Sequence, residues 1–300
     1  MKWQRQMLLV PALALLAIGR PYESSGGGKI ERDPGQPDNV EIPAVYVARV
    51  LSVSAAGRDA FVACLRQKEL PVWQQMKRNG LLADQSVFET VSVRLGAPDV
   101  PAWNFLLLSH LAPSATPEAF FKAEKDRESK RPTGTRCEDA PGIETLRVEV
   151  LRSTPNSYYP RPAPGTRLTD ALTEFTVPFI VEYIAVRDTP EALNEYRETM
   201  RTNNGPALAQ LIRDEMLLNF IALETVSVRY AQPGVPKWNQ IHLRGYFPDK
   251  GPVPPDALDG ALRRINPQSG GAAGIFGRLA AIRTKPREDV ARQLPKLAVR

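Results

Sequence analysis

Histidine and cysteine are scarce in this chain: two of each in 300 residues, standing apart at Cys64, Cys137, His110 and His242. That dispersal matches no zinc-ligand spacing, so no metal centre is expected. There is no glycine-rich phosphate loop, no nucleophile elbow and no His/carboxylate metal triad, which removes those catalytic templates. An aromatic-plus-basic signature of the RNP kind is missing too, and no nucleic-acid partner is expected. Met7–Gly19 is apolar, but thirteen residues are too few to cross a bilayer.

What is present begins with that apolar run. Lys2 and Arg5 precede it, and Ala17-Ile18-Gly19 offers a small-x-small cleavage point, the layout of a secretory signal over residues 1–19. Residues 20–42 are Gly-, Pro- and polar-rich and read as a disordered linker. No cysteine stands near the cleavage point, so a lipoprotein is not expected. The expectation is a secreted or periplasmic protein with no stable membrane insertion after cleavage. Two cysteines in an exported chain can form one disulfide. Cys64, beside Phe61 and Leu65 on an apolar helical face, reads equally as a buried free thiol.

The composition, 43% hydrophobic and 24% charged, is that of a folded soluble protein. Many of the 28 prolines punctuate the segments between periodic runs. The formal charge of +6 is concentrated near the end, where Phe276–Arg300 holds seven Lys/Arg against Glu288 and Asp289. Residues 287–300 read as a solvated basic tail, not as a nucleic-acid-binding face.

The chain also says one thing twice. "ETVSVRLGAPDVPAWNFLLLSHLAP" (Glu89–Pro113) returns as "ETVSVRYAQPGVPKWNQIHLRGYFP" (Glu224–Pro248), identical at 13 of 25 positions. Sliding the chain along itself aligns Pro43–Pro113 with Pro178–Pro248 without a gap. The copies cover 43–155 and 178–286, joined by a proline-rich linker, 156–177. Units of this length are domains, not solenoid repeats. Val45–Leu51 and Ile180–Val186 are rich in β-branched residues and read as strands. A helix follows; in the second copy Thr189 is its N-cap and Pro190 its first residue. Pro71 and Pro206 are expected to kink this helical region or to start a second helix. Val87–Arg94 and Ala222–Tyr230 alternate as a second strand, and Trp103–Leu108 and Trp238–Leu243 supply a third. Another helix begins at Pro117 or Pro255, and Leu146–Leu151 and Leu279–Ile282 supply a fourth strand.

The order is βαββαβ twice, an α+β class with two tandem ferredoxin-like repeats. Helices cover one face of such a sheet, and the other needs a partner. In this duplicated order the chain resembles the dimeric α+β barrel superfamily, which includes stress-responsive A/B barrel, EthD-like and NIPSNAP-like families. The resemblance implies two units packed sheet to sheet as an intrachain pseudo-dimeric barrel, and hence a monomer. It admits cofactor-free oxygenases, haem-binding members and isomerase- or cyclase-like members. No catalytic signature selects among them, and the cofactor is left unknown.

Strand alternation sorts the faces. Val91, Val93, Val226 and Val228 are placed under the helices, with Leu106, Leu108, Ile241 and Leu243. Thr90, Ser92 and Arg94, with Thr225, Ser227 and Arg229, are placed between the sheets. So are Trp103, Phe105, Leu107 and Ser109 from the first copy and Trp238, Gln240, His242 and Arg244 from the second. The second copy's inner face is therefore the polar one. Apolar walls with a few convergent polar groups describe a small-molecule pocket. Arg94 and Arg229 could hold a carboxylate or phosphate, with Gln240, Arg244 and Trp238 as further ligand contacts. His242 is the candidate general acid or base. Against these stand structural roles: ion pairs of the arginines with acids such as Glu182, a hydrogen-bonded His242, and tryptophans as packing anchors. Two functions are carried forward. One is an exported protein binding a small organic ligand between its sheets, including oxygenase- or isomerase-like enzymes. The other is a non-catalytic structural or protein-interaction module.

Overall fold

The computed structural model of the chain describes residues 44–96, 101–128, 136–154, 157, 177–247, 250–294 and 297. The expected signal (1–19), the linker 20–42, nearly all of the linker 156–177 and the end of the expected tail lie outside the described residues.

The first half holds β1 (Val45–Val53), α1 (Arg58–Cys64), α2 (Leu70–Arg78), β2 (Leu82–Gly96), β3 (Phe105–Leu111), α3 (Pro117–Glu128) and β4 (Ile143–Ser153). The second holds β5 (Pro178–Val186), α4 (Pro190–Thr199), α5 (Gly205–Arg213), β6 (Asn219–Ala231), β7 (Gln240–Gly245), α6 (Pro255–Ile265), α7 (Gly271–Ala280) and β8 (Arg283–Gln293). Local chemistry explains several boundaries. The Thr189 side chain accepts from the Ala192 amide at 3.3 Å and Pro190 opens α4, as an N-cap and a proline without a donor should. Pro71 and Pro206 cannot donate to the preceding turn, and the chain adapts with a single π-helical turn, Leu65–Glu69 or Met200–Asn204. One long bent helical run results in each half.

The eight strands close into one barrel in the order β1-β3-β2-β8-β5-β7-β6-β4. Each half contributes four antiparallel strands, and the halves join at their edges through β2–β8 and β4–β6 pairing. The sheets are thus edge-joined around a common interior rather than stacked as two separate layers. An eight-stranded barrel leaves an interior that side chains can just fill. Here they do: Trp103, Trp238 and Tyr183 meet with ring centroids 4.9–5.4 Å apart, and Phe88 packs edge-on to Phe179. Leu106, Leu108, Ile241 and Leu243 belong to this interior cluster, not to the helix side. Two further apolar clusters lie between the sheet and the helices, one in each half.

The facing of β3 and β7 is therefore opposite to the sequence expectation, while Trp103 and Trp238 just before them lie in the interior as expected. Phe105 and Leu107 pack with the helices of the first half. On β7 the residues alternating with interior Ile241 and Leu243, namely Gln240, His242 and Arg244, face the helix side of the second half. Polarity could not settle the phase, because both faces of the barrel wall are buried and a one-residue shift exchanges them. Val91, Val93, Val226 and Val228 are not under helices at all and are 46–61% exposed. They lie where β2 and β6 run past β3 and β7 and pair only with β8 or β4.

The fourth strand of the second half is β8, not Leu279–Ile282, whose first two residues end α7. Residues 287–293, expected in a basic tail, form most of β8, with Arg287, Glu288 and Asp289 buried. A charged segment is tolerated there because its side chains pair. Arg287 Nε donates to Asp289 at 2.7 Å and its guanidinium lies 4.0 Å from the Trp103 ring.

Cys64 and Cys137 form a disulfide that ties the end of α1 to the turn before β4, across 73 residues. Cross-linking so long a loop removes entropy from the unfolded chain. A Cys64→Ser, Cys137→Ser variant is expected to lose about 2–4 kcal/mol of unfolding free energy in urea titrations. A change below about 1 kcal/mol would show that the bond does not constrain the unfolded state.

Candidate functional site

A ligand-sized space lies outside the barrel, between the wall of the second half and its helices. A cavity of about 640 Å³ is lined by Ile180 and Glu182 of β5, His242 and Arg244 of β7, and Arg283, Lys285 and Glu288 of β8. Its apolar wall comes from Met200, Leu208, Leu211, Phe220, Leu258 and Phe276. Arg94 reaches it from the first half, carried by the part of β2 that pairs with β8. That volume falls in the range of small-molecule sites, and the mixture of apolar wall and few polar groups is their usual composition.

The polar groups form one connected set. Lys285 Nζ donates to Glu182 and Glu288 at 2.5 Å each. Arg244 stands 3.2 Å from Glu182 and 3.8 Å from Glu288, and Arg94 3.0 Å from Glu288. Burial by itself would raise the Glu182 carboxyl, but Arg244 and Lys285 beside it overcome that and hold it well below the usual carboxylate range. Both carboxylates are answered by cations, and a surplus of positive charge remains. Arg94, Arg244, Arg283 and Lys285 face only Glu182 and Glu288 along the lining. Arg283 has no carboxylate partner among the described residues and lies 5.8 Å from the Tyr196 ring and 5.7 Å from the Phe276 ring. The Nε of Arg244 is buried without a hydrogen-bond acceptor.

His242 is 3% exposed, and its Nε2 lies 3.1 Å from the Tyr196 hydroxyl. Burial pushes its imidazole down to about 3, with Glu182 opposing and Arg283 adding to the drop. The ring is neutral at physiological pH, and the Tyr196 hydroxyl beside it is raised by burial and stays protonated. Behind this pair lies a second cavity of about 430 Å³, also lined by His242 and Met200, with Tyr196, Arg197, Glu224 and Gln240.

At the matching position of the first half, among the described residues, the space is filled. In the alignment of the two copies, Leu107 stands for His242, Ser109 for Arg244 and Val47 for Glu182. There Arg49 binds Glu124 and stands 3.6 Å from Glu138, while Arg127 binds Glu69 at 2.5 Å. The space left among these side chains is about 10 Å³.

Of the residues singled out from sequence, the structure brings Arg94, His242 and Arg244 to the larger cavity and Gln240 to the second. Arg229 goes elsewhere, pairing with Glu118 at 2.7 Å over the Phe121 ring. Trp238 is in the barrel interior, where its Nε1 donates to Glu149 at 2.7 Å. Glu182 was expected only as an ion-pair partner of the arginines, and it does pair with Arg244 at 3.2 Å. Sequence reasoning missed Arg283, Lys285 and Glu288, which sat in a segment read as strand end and tail. No apolar/polar alternation marked this strand, because Thr284, Pro286 and Glu288 stand between the charged residues. No group of three or more His, Cys, Asp or Glu side chains among the described residues could hold a metal ion.

No family model matches this sequence, and no curated protein matches it. Solved structures that align with this chain include a dye-decolorizing protein from V. cholerae, 11% identical, covering 85% of this chain and 96% of that one with a TM-score of 0.45. A chlorite dismutase variant from Candidatus Nitrospira defluvii, in complex with cyanide, is 10% identical over 85% of this chain and 92% of that one, with a TM-score of 0.41. A DypB variant from Rhodococcus jostii, in complex with heme, is 11% identical over 83% of this chain and 92% of that one, with a TM-score of 0.39. Likeness at this level says nothing of what this chain binds.

Proposed function

We propose that this protein binds a small organic anion with an apolar body in the cavity of its second half. The observation that carries the reading is the contrast between the halves: a 640 Å³ cavity with more cations than carboxylates in one, a space of 10 Å³ among ion pairs in the other. A carboxylate ligand supplies the missing negative charge at Arg283 and Arg244, and its apolar part lies along Met200, Leu211 and Phe276. Binding in place of catalysis fits His242. An imidazole held so low is a weak base at neutral pH, and it serves better as a neutral hydrogen-bonding group than as a proton carrier. A haem would need an axial ligand. The side chains along the cavity of a type that can serve so are His242, whose Nε2 is engaged by Tyr196, and Met200 and Tyr246.

We also read the halves as tandem copies of one ferredoxin-like unit, within the dimeric α+β barrel group, and the chain as a monomer. Support comes from the shared strand order and from closure of the barrel within one chain. Export to a secreted or periplasmic location is part of the proposal, and the disulfide supports it, since such bonds persist in oxidising compartments.

Native mass spectrometry of protein from its natural source tests the reading through a co-purifying acid, and calorimetry with decanoate tests it directly. Arg283→Gln is expected to weaken decanoate binding about tenfold or more while leaving the melting temperature nearly unchanged, because Arg283 pairs with no carboxylate. Equal affinity in wild type and variant would remove Arg283 from the site. A visible absorption band in the purified protein would overturn the colourless-ligand reading.

A further inference from the structure

The polar wall of the second half has a third member. His242 and Arg244 of β7 and Tyr246 just after it occupy every second position, and all three line the cavity. The first half has Leu107, Ser109 and Leu111 at these places. Leu111 is 2% exposed within an apolar cluster, so leucine fills the position and the fold asks for no hydroxyl there. Tyr246 is 3% exposed and packs in the matching cluster of the second half. Its hydroxyl makes no hydrogen bond among the described residues. It is not one of the side-chain atoms sealed from solvent without a partner, as the Nε of Arg244 is. The hydroxyl therefore keeps surface of its own, and the cavity is the space that Tyr246 borders. Burial raises the phenol, with Arg244 and Arg94 opposing and Glu182 and Glu288 adding. At neutral pH it keeps its proton and is a free donor.

The surplus positive charge falls in two places. Arg94, Arg244 and Lys285 share Glu182 and Glu288, three cations for two carboxylates. Arg283, the fourth cation, stands apart near the Tyr196 and Phe276 rings. Arg283 is opposite Val186 on β5 and Arg244 opposite Ile180, six residues of strand apart, a backbone separation of about 20 Å. His242, opposite Glu182, lies between them. Tyr246 is beyond Arg244, its amide bonded to the Pro178 carbonyl at 2.9 Å. The lone cation and the free hydroxyl thus belong to opposite ends of one cavity.

We propose that the ligand is a dicarboxylate with an apolar body, one carboxylate on Arg283 and the other on Arg244, with the Tyr246 hydroxyl donating to the second. Tyr246 is then the residue that selects a diacid over a monoacid of the same length. This assignment rests on the anion-binding reading and narrows it. A monoacid held at Arg283 lays its methyl end against Arg244 and Tyr246, covering donors that it cannot answer, and a site built of such donors discriminates against it.

Calorimetry on the full chain tests this by pairing each straight-chain alkanoate from C8 to C14 with the α,ω-diacid of the same length. Wild type is expected to bind at least one diacid about tenfold or more tighter than its monoacid. Tyr246→Phe keeps the ring and is expected to cut that preference about tenfold, with monoacid affinity and melting temperature nearly unchanged. Tyr246→Leu, which carries the side chain found at this place in the first half, is expected to lose the preference as well. If the folded variants keep the full preference, Tyr246 does not read the ligand. Monoacid binding with no preference for any diacid in wild type overturns the dicarboxylate assignment and leaves the anion site standing. Failure of every acid to bind overturns both.

Discussion

Trp238→Ala is expected to lower the unfolding free energy by about 5 kcal/mol, the upper end for truncating a buried aromatic side chain. Trp238 is 3% exposed in the middle of the barrel, against Trp103 at 5.4 Å and Tyr183 at 4.9 Å between ring centroids. The indole also anchors a buried charge pair. Its Nε1 donates to Glu149 Oε1 at 2.7 Å, and Arg147 lies 4.1 Å from the ring while donating 2.8 Å bonds to Glu149 and to the Trp238 carbonyl. Glu149 is 0% exposed, so alanine at 238 leaves a cavity and strips a donor from a fully buried carboxylate. Trp238→Phe keeps most of the packing and loses the donor, and about 1–3 kcal/mol is expected from it. Urea unfolding of both variants measures the difference. A loss below about 2 kcal/mol for the alanine variant would mean that the interior repacks around the gap. Decanoate affinity is expected to stay unchanged in Trp238→Phe, since Trp238 does not line the cavity.

Acid is expected to unfold this protein through His242. Its imidazole titrates at about 3 in the folded state against an ordinary 6.5. Above pH 6.5 neither state takes the proton. As pH falls from 6.5 toward 3, the unfolded chain binds it and the folded protein does not, so stability drops by up to about 1.4 kcal/mol per pH unit. Across the whole window the loss approaches about 5 kcal/mol. Glu182 adds in the same direction at the acid end: its carboxyl is held low by Arg244 and Lys285, and its stabilising charge disappears as pH falls below the ordinary carboxylate range. His242→Gln keeps a group that can bond to Tyr196 but removes the titration. The variant is expected to take up about half a proton fewer than wild type on unfolding at pH 6.5 and about one fewer near pH 5, and to show a flatter stability profile. Parallel profiles would show that the acid sensitivity originates elsewhere.

Much of the site was legible as a difference between two similar sentences. Leu107 against His242 and Ser109 against Arg244 are the substitutions at which the second half acquired its polar wall. Those residues were found from the letters, while the side of the wall they occupy was not. In an open sheet with one solvated face, alternating polarity reports which face is buried. In this barrel the interior takes Trp238, Ile241 and Leu243 while the outer face of the same strand takes His242 under helices, so both phases of the alternation are buried. Arg94 and Arg229 repeat at the same place in the two halves, yet only Arg94 reaches a cavity. Each crosses to the other half, and Arg229 arrives at α3, where Glu118 and Phe121 receive it.

Local chemistry, written in the sequence, set the start of α4 at Thr189-Pro190, the interruptions at Pro71 and Pro206, and the order of strands and helices in each half. These depend on a few neighbouring residues and on backbone hydrogen bonds that proline cannot make. Closure of the barrel, the disulfide between Cys64 and Cys137, and the opening of a cavity on one side only were decided by tertiary structure. Each depends on which distant residues meet: β2 with β8, α1 with the turn before β4, and Glu69 with Arg127 where the other half has only Asn204. The spacing of residues along a chain carries no record of such meetings, because the energy that selects them arises only when both partners have left water together.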